Sequence, residues 1–218
     1  MARRTPGTRA TKAAANRRRM VSAALERFAA DGWAGATMAS IAEQAGVAVQ
    51  TLYYTFRTKA ALLDEAIGAA VLGIDAWDEP PTDPDTAALV NLHDWWTSFV
   101  DAATATEALD IYVTASAPIL ARVAPLLPAM HGTVGDPEAE AVVRLADERR
   151  SDSFRAAIDV LAAKPPGLAA GLDEQAATDV FLALFSAEVY AVLTARGWTN
   201  ERCADFYRDL LRERLLGR

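Results

Sequence analysis

The sequence has a single cysteine, Cys203, and two histidines, His93 and His131, in 218 residues. One thiol excludes an internal disulfide and points to a reducing compartment. A free cysteine behaves as a small apolar residue, so Cys203 is expected as a buried side chain on a helix. The two histidines are too far apart to match any metal-ligand spacing. The sequence contains no G-x-S-x-G, no H-E-x-x-H, no glycine-rich phosphate loop and no Cys/His cluster. No enzymatic chemistry, metal or cofactor is expected from it. The acidic pair Asp147-Glu148 lies in the charged stretch "RLADERRSDSFR" and reads as surface ion pairs. Alternating apolar and polar residues, the mark of a half-buried strand, are missing, and so are internal repeats. Long apolar runs are missing too. The best, "FLALFSAEVYAVLTA" at 181–195, is short and carries Glu188, where a spanning helix needs about 20 apolar residues. Arg3-Arg4 has no apolar run behind it and makes a poor export signal. These absences predict a cytoplasmic protein with no membrane partner.

What is present is apolar bulk and a polarised charge. Apolar residues make up 52% of the chain, enough for a sizeable core, and the net charge is −7. That acidity is uneven. Residues 1–59 hold Arg3, Arg4, Arg9, Lys12, Arg17, Arg18, Arg19, Arg27, Arg57 and Lys59 against only Glu26, Asp31 and Glu43. The surplus of acids lies beyond residue 60. A basic head on an acidic body reads as a nucleic-acid-binding module joined to something else, the alternative being a solvated basic tail.

The pattern along the chain is helical. Residues 1–15 lack apolar periodicity and are expected as a disordered basic arm. Val21, Leu25 and Phe28 begin a helix from Asn16 that stops at Asp31-Gly32, with Trp33 in the loop after it. Thr37 is a good N-cap for a short helix whose face is Met38, Ile41, Ala42 and Ala45, and Gly46 supplies its exit. A third helix covers Val49 to Phe56. Thr58 caps a fourth, with Leu62, Leu63 and Ile67 as its stripe. The proline-rich "DEPPTDPD" at 78–85 is a break. Further helices are expected near 86–104, 106–117, 118–130, 137–163, 173–196 and 199–216, with a cap at Asp136-Pro137 and another at Thr199. The fold class is therefore all-α. Its expected organisation is an arm at 1–15, a helix-turn-helix DNA-binding domain at 16–60 and a helical body at 61–218.

Two short helices separated by "GVAV" form a helix-turn-helix, whose second helix enters the DNA major groove. At 100° per residue, Val49, Leu52 and Phe56 gather on one side of that helix as the core stripe. Gln50, Thr51, Tyr54 and Thr55 take the opposite side, and Tyr53 sits on the margin. Tyr53 is expected to rest its ring on the core edge and send its hydroxyl to a phosphate. Tyr54 is expected to meet a base edge, a thymine methyl or a phosphate, unless it packs on a neighbouring helix instead.

The stretch "FAADGWAGATMASIAEQAGVAVQTLYYTFRTKAALL", residues 28–63, resembles the tetracycline-repressor (TetR) family of bacterial transcription regulators. The likeness runs from Gly32 through Thr37, Ile41-Ala42, Ala45-Gly46-Val47, Leu52-Tyr53, Phe56 and Lys59 to Leu62. It implies an N-terminal DNA-binding domain followed by a larger helical domain that dimerises and usually holds an effector pocket. By position, it implies phosphate contacts at Thr37, Tyr53 and Lys59, and base-facing residues at Val49, Gln50, Thr51 and Tyr54. Ala39 departs from many relatives, which carry a long basic residue there. The seven basic residues from Arg3 to Arg19 are expected to compensate by following a phosphate strand or the minor groove.

In the body, Phe181, Phe185 and Val189 on one helix and Phe206 and Leu210 on the next are expected to form a homodimer interface, in part shared with the core. Trp95, Trp96 and Phe99, with Tyr112, Met130 and His131, are candidate ligand-binding residues, since ligand sites are apolar with a few placed polar groups; the plainer reading of each is core packing. The sequence thus predicts a homodimeric repressor that binds double-stranded DNA at a palindromic operator and releases it to a small-molecule effector. An architectural DNA-binding protein without an effector, or a helical domain with a vestigial head, are the alternatives.

Overall fold

Alanine, lysine and arginine dominate residues 10–19, and all three are strong helix formers. The first helix accordingly starts well before the apolar periodicity does. In the computed structural model, which describes residues 8–76 and 95–217, α1 runs Thr8–Gly35. The expected disordered arm therefore shrinks: residues 8–15 are helical, and residues 1–7 lie outside the described residues, as do the break at 78–85 and the expected helix start at 86. Apolar spacing finds the buried part of a helix; propensity extends it into solvent.

α1 is interrupted by Gly32, at φ 65 and ψ −170. Only glycine occupies that region without a steric penalty, so the chain turns there and tucks Trp33 onto Phe28, ring centroids 5.9 Å apart. α2 (Met38–Ala45) is capped by Thr37 and closed by Gly46 at φ 64. α3 (Val49–Phe56) and α4 (Lys59–Leu72) follow, then a short 3₁₀ turn, Ile74–Ala76. α5 is Trp95–Asp101 and α6 is Ala105–Val123. The break expected near Pro118 does not occur. Pro118 lies inside α6, and the chain changes course only at the 3₁₀ turn Ala124–Leu126. α7 (Leu127–His131), α8 (Pro137–Ala162), α9 (Glu174–Leu184), α10 (Ala187–Thr194) and α11 (Asn200–Leu211) complete the described helices, with one π turn at Arg212–Leu216. The long helix expected over 173–196 is split between α9 and α10. Phe185 leaves helical geometry at φ −92, ψ 74, and the Ser186 hydroxyl accepts the Val189 N–H at 3.3 Å to cap α10. A serine that can cap competes with helix continuation. There is no strand among the described residues.

Two compact units result. The first holds α1–α4 together with residues 125–144, a larger set than the expected head of 16–60. Its core is Val21, Ala24, Phe28, Ile41, Leu52, Leu62, Leu63 and Ala66, all fully buried. Each large apolar side chain buried this way contributes about 1.5–3 kcal/mol. α7 packs on α1 in the same unit, where a Cβ on Gly132 would lie 3.3 Å from the Trp33 Cβ. The Asp136 carboxylate accepts the Ala139 N–H at 3.2 Å at the start of α8, as the Asp-Pro pair predicts.

The second unit holds residues 95–124 and 145–217. Phe99, Leu109, Val113, Ile158, Leu161, Phe181, Tyr207 and Leu211 are fully buried in it. Cys203 is buried there too, as expected for a structural thiol, and burial raises its pKa. Two stretches, Ala105–His131 and Glu174–Thr194, are long and apolar enough to cross a membrane by length and composition. This corrects the expectation that none is. Neither stretch is one continuous α-helix: the first is interrupted at Ala124–Leu126 and the second at Phe185–Ser186.

Candidate nucleic-acid interface

The helix-turn-helix is held from behind. α2 and α3 are joined by Gly46-Val47-Ala48, with the Val47 N–H donating to the Ala42 carbonyl at 3.0 Å. Leu52 and Phe56 on α3 are buried, which fixes the rotation of the helix about its axis. That rotation leaves Gln50, Thr51, Tyr53 and Tyr54 exposed and Val49 half-buried. Tyr53 is 49% exposed, as a ring on the core margin should be, and Tyr54 is 91% exposed. The Tyr54 ring thus makes almost no use of its own chain as a partner. Packing on a neighbouring helix, the alternative raised for it, is absent.

Thr37 stands exposed at the N-terminus of α2. Its Oγ1 accepts the Ser40 N–H at 3.1 Å, while the Ser40 hydroxyl accepts the Thr37 N–H at 3.1 Å. This reciprocal cap holds the first turn rigid, at the end of the helix where the backbone dipole favours an anion. Thr58 plays the same part for α4, accepting the Ala61 N–H at 3.0 Å. Its hydroxyl in turn donates to Glu138 Oε1 at 2.7 Å, from the start of α8 in the same unit.

Lys59, expected as a phosphate contact, has partners within the fold. Its Nζ donates to the Trp33 carbonyl at 2.6 Å and the Ala36 carbonyl at 3.2 Å, and lies 3.9 Å from the centroid of the Trp33 ring. Burial pushes the ammonium below its ordinary pKa, and nearby Asp136 partly restores it. The ammonium is thus directed at the turn between α1 and α2. Arg17, counted by sequence among the phosphate-following arm, is likewise employed inside the fold. Its Nε donates to Glu65 Oε2 at 2.9 Å, its Nη2 reaches Glu65 Oε1, and its guanidinium lies 5.0 Å from the Phe56 ring. Lys59 thus satisfies two carbonyls at the α1–α2 turn, and Arg17 pairs with the buried Glu65 carboxylate of α4.

The six candidate ligand-binding residues fall in two units. Trp95, Trp96, Phe99 and Tyr112 belong to the second unit, whereas Met130 and exposed His131 belong to the first. Met130 and His131 sit on the five-residue α7, whose register the apolar pattern could not give. The other four form part of a larger ring cluster. Tyr112 lies 5.3 Å from Trp95, 5.5 Å from Phe99 and 5.2 Å from Phe181. Phe154 stacks on Phe181 at 4.5 Å, and Phe185 meets Tyr207 at 4.8 Å. Burial holds the Tyr112 phenol well above its ordinary pKa. Phe154 and Tyr207 were missed by sequence. Tyr207 was findable, since Cys203, Tyr207 and Leu211 recur every four residues on α11.

The same cluster corrects the predicted dimer interface. Phe181 and Phe185 are fully buried within one chain and have no surface left for a second. Both rings face Tyr112 and Phe154, with centroids 4.5–6.2 Å from them. Val189, Phe206 and Leu210 are only half-buried, and Val192 is 52% exposed.

Comparison with known proteins adds the following. Residues 20–66 match the sequence profile of bacterial regulatory proteins, tetR family. No curated protein matches the chain. Among solved structures, the chain is similar to the transcriptional regulator FadR from Bacillus subtilis in complex with stearoyl-CoA, at 16% identity and a TM-score of 0.63 over 88% of this chain and 96% of that one. The fatty acid degradation regulator FadR from Bacillus halodurans gives 16% identity and a TM-score of 0.64 over 95% and 96%. NalD, the secondary repressor of the MexAB-OprM multidrug efflux pump in Pseudomonas aeruginosa, gives 18% and 0.60 over 94% and 97%. At these identities the likeness is one of fold.

Proposed function

We propose that this chain, a member of the tetR family of bacterial regulatory proteins through residues 20–66, is a sequence-specific DNA-binding transcriptional regulator. The observation that carries the reading is the surface of α3: Gln50, Thr51 and the 91% exposed Tyr54 project from a helix whose other side is locked into a core. Thr37 and Tyr53 flank that surface as phosphate contacts, and Val49, Gln50, Thr51 and Tyr54 read the bases.

The protein acts as a cytoplasmic homodimer. A single head covers too few base pairs for useful specificity, and a two-fold pair reads half-sites about 34 Å apart or a multiple of that. Val189, Val192, Phe206 and Leu210 on α10 and α11 supply apolar surface for the pairing. The protein represses, and a small apolar molecule releases it. Support for that effector comes from the rings around Tyr112, with Trp95 and Trp96 half-buried at the edge of the cluster. Two structural neighbours bear on it as well, one solved with stearoyl-CoA and one a repressor of a multidrug efflux pump. Release requires the effector to prefer a head spacing that does not match the operator.

The test is selection of binding sites from random duplex DNA with the purified protein. An enriched inverted repeat, preferred over random sequence by about 10³-fold or more, supports the regulator. Salt-sensitive binding with no motif points to an architectural role and overturns it. Titration of fatty acids and their thioesters against tryptophan fluorescence, and then against the bound operator, tests the effector.

A further inference from the structure

We infer that the two cations flanking Thr58 divide the work at the α3–α4 turn: Arg57 supplies the phosphate contact there, and Lys59 is a positioning residue that locks the α1–α2 turn behind Thr37. The inference rests on the DNA-binding reading above.

Arg57 is held in an unusual backbone. Its φ is 63 and its ψ −53, and it is the only non-glycine residue with positive φ among the described residues. The Thr58 N–H closes on the Phe56 carbonyl at 2.7 Å across it. This is the rare, strained three-residue turn, and glycine would adopt it with less strain. Strain of this sort collects where a side chain is needed. The Arg57 side chain is exposed, at the end of the recognition helix, on the turn that carries Tyr53 and Tyr54 one helical turn earlier. A guanidinium there has its donors available for phosphate oxygens.

Lys59, two residues on, is built differently. An ammonium has three donors, and two are given to the Trp33 and Ala36 carbonyls while its charge faces the Trp33 ring. Those carbonyls belong to the broken end of α1, where orphan acceptors need partners. Ala36 directly precedes Thr37, so Lys59 fixes the approach of the chain into the α2 cap. It acts on the interface through Thr37 and leaves the phosphate at this turn to Arg57.

The experiment uses the full chain and the duplex recovered by selection. Affinity is measured across salt concentrations, and thermal stability alongside, for Arg57→Gly, Lys59→Arg and Lys59→Met. Each phosphate contact contributes about 0.9 to the slope of log K against log salt. Arg57→Gly should hold or raise Tm and flatten the slope by about 0.9 per half-site. Lys59→Arg keeps the charge but replaces a point donor with a planar fork, so it should lower Tm and affinity with the slope unchanged. Lys59→Met should do the same more strongly. The division is overturned if Arg57→Gly leaves the slope at the wild-type value. It is also overturned if Lys59→Arg matches the wild type in Tm while Lys59→Met loses about 0.9 of slope per half-site. Failure of the wild type to bind any duplex overturns the regulator itself, which separates that failure from these.

Discussion

Replacing Arg17 by methionine tests whether α1 is fastened to α4 by charge or merely lies beside it. The Arg17 side chain is 27% exposed and the Glu65 side chain 10%. Removing one partner of a fully buried pair costs about 3–5 kcal/mol, because the remaining charge stays desolvated. Exposed pairs are worth about 0–1 kcal/mol. This pair lies nearer the buried limit on the Glu65 side and is partly screened on the other. A loss of roughly 2–3 kcal/mol follows from that position between the limits. Loss of the contact with the Phe56 ring adds about 0.5 kcal/mol, a correction inside that range. For a chain of this size each kcal/mol shifts Tm by about 2–4 °C, so Arg17→Met should melt roughly 4–12 °C early. Adding Glu65→Leu removes the desolvated carboxylate and should recover most of the loss, since apolar replacements of buried pairs are often neutral. The assay is thermal melting followed by circular dichroism on the wild type, both single variants and the double variant. A Tm for Arg17→Met within about 1 °C of the wild type, together with a flatter salt dependence of DNA binding, refutes the reasoning and returns Arg17 to the DNA-binding arm.

Four further outcomes follow from the same structure. Tyr54→Ala should change stability by less than about 0.5 kcal/mol, since its ring touches little, yet weaken operator binding by about 1–3 kcal/mol and relax preference at one base position, read by competition with variant duplexes. Phe181→Ala empties the stacked position against Phe154 and should destabilise the chain by about 3–5 kcal/mol in urea denaturation. Val192→Asp, on the 52% exposed position of α10, should shift the proposed dimer to monomer in sedimentation while leaving helicity unchanged. Stability should fall from about pH 9 upward. The pKa values of Cys203, Tyr190 and Tyr207 are raised by burial in the folded chain. The unfolded chain then releases protons that the folded chain retains, so the contribution present below the ordinary thiol and phenol values is lost above them; urea midpoints across that range measure it.

The helix-turn-helix was legible because every signal in it is local. As caps, Thr37, Gly46 and Thr58 act within four residues of themselves, and the rotation of α3 follows from the spacing of Leu52 and Phe56. The expected exposure of Tyr54 is a consequence of that spacing. Legibility ends where a side chain answers to something distant in sequence. Arg17 and Lys59 looked like DNA-facing charge, and their partners, Glu65 and the carbonyls of Trp33 and Ala36, come from other helices. Phe181 and Phe185 looked like one face of a long helix. The Ser186 cap breaks that helix, and the two rings join Tyr112 and Phe154 in the core. The start of α1 precedes the apolar pattern for a different reason: alanine and arginine make a helix without making an apolar stripe.

On the proposed function, the exposed face of α3 reads DNA sequence. That reading is tested most directly by selecting binding sites from random duplexes with the wild type and with Tyr54→Ala side by side. The wild type should recover an inverted repeat, and the variant the same repeat with one degenerate position in each half-site. An identical motif from both proteins, or no motif from either, contradicts it.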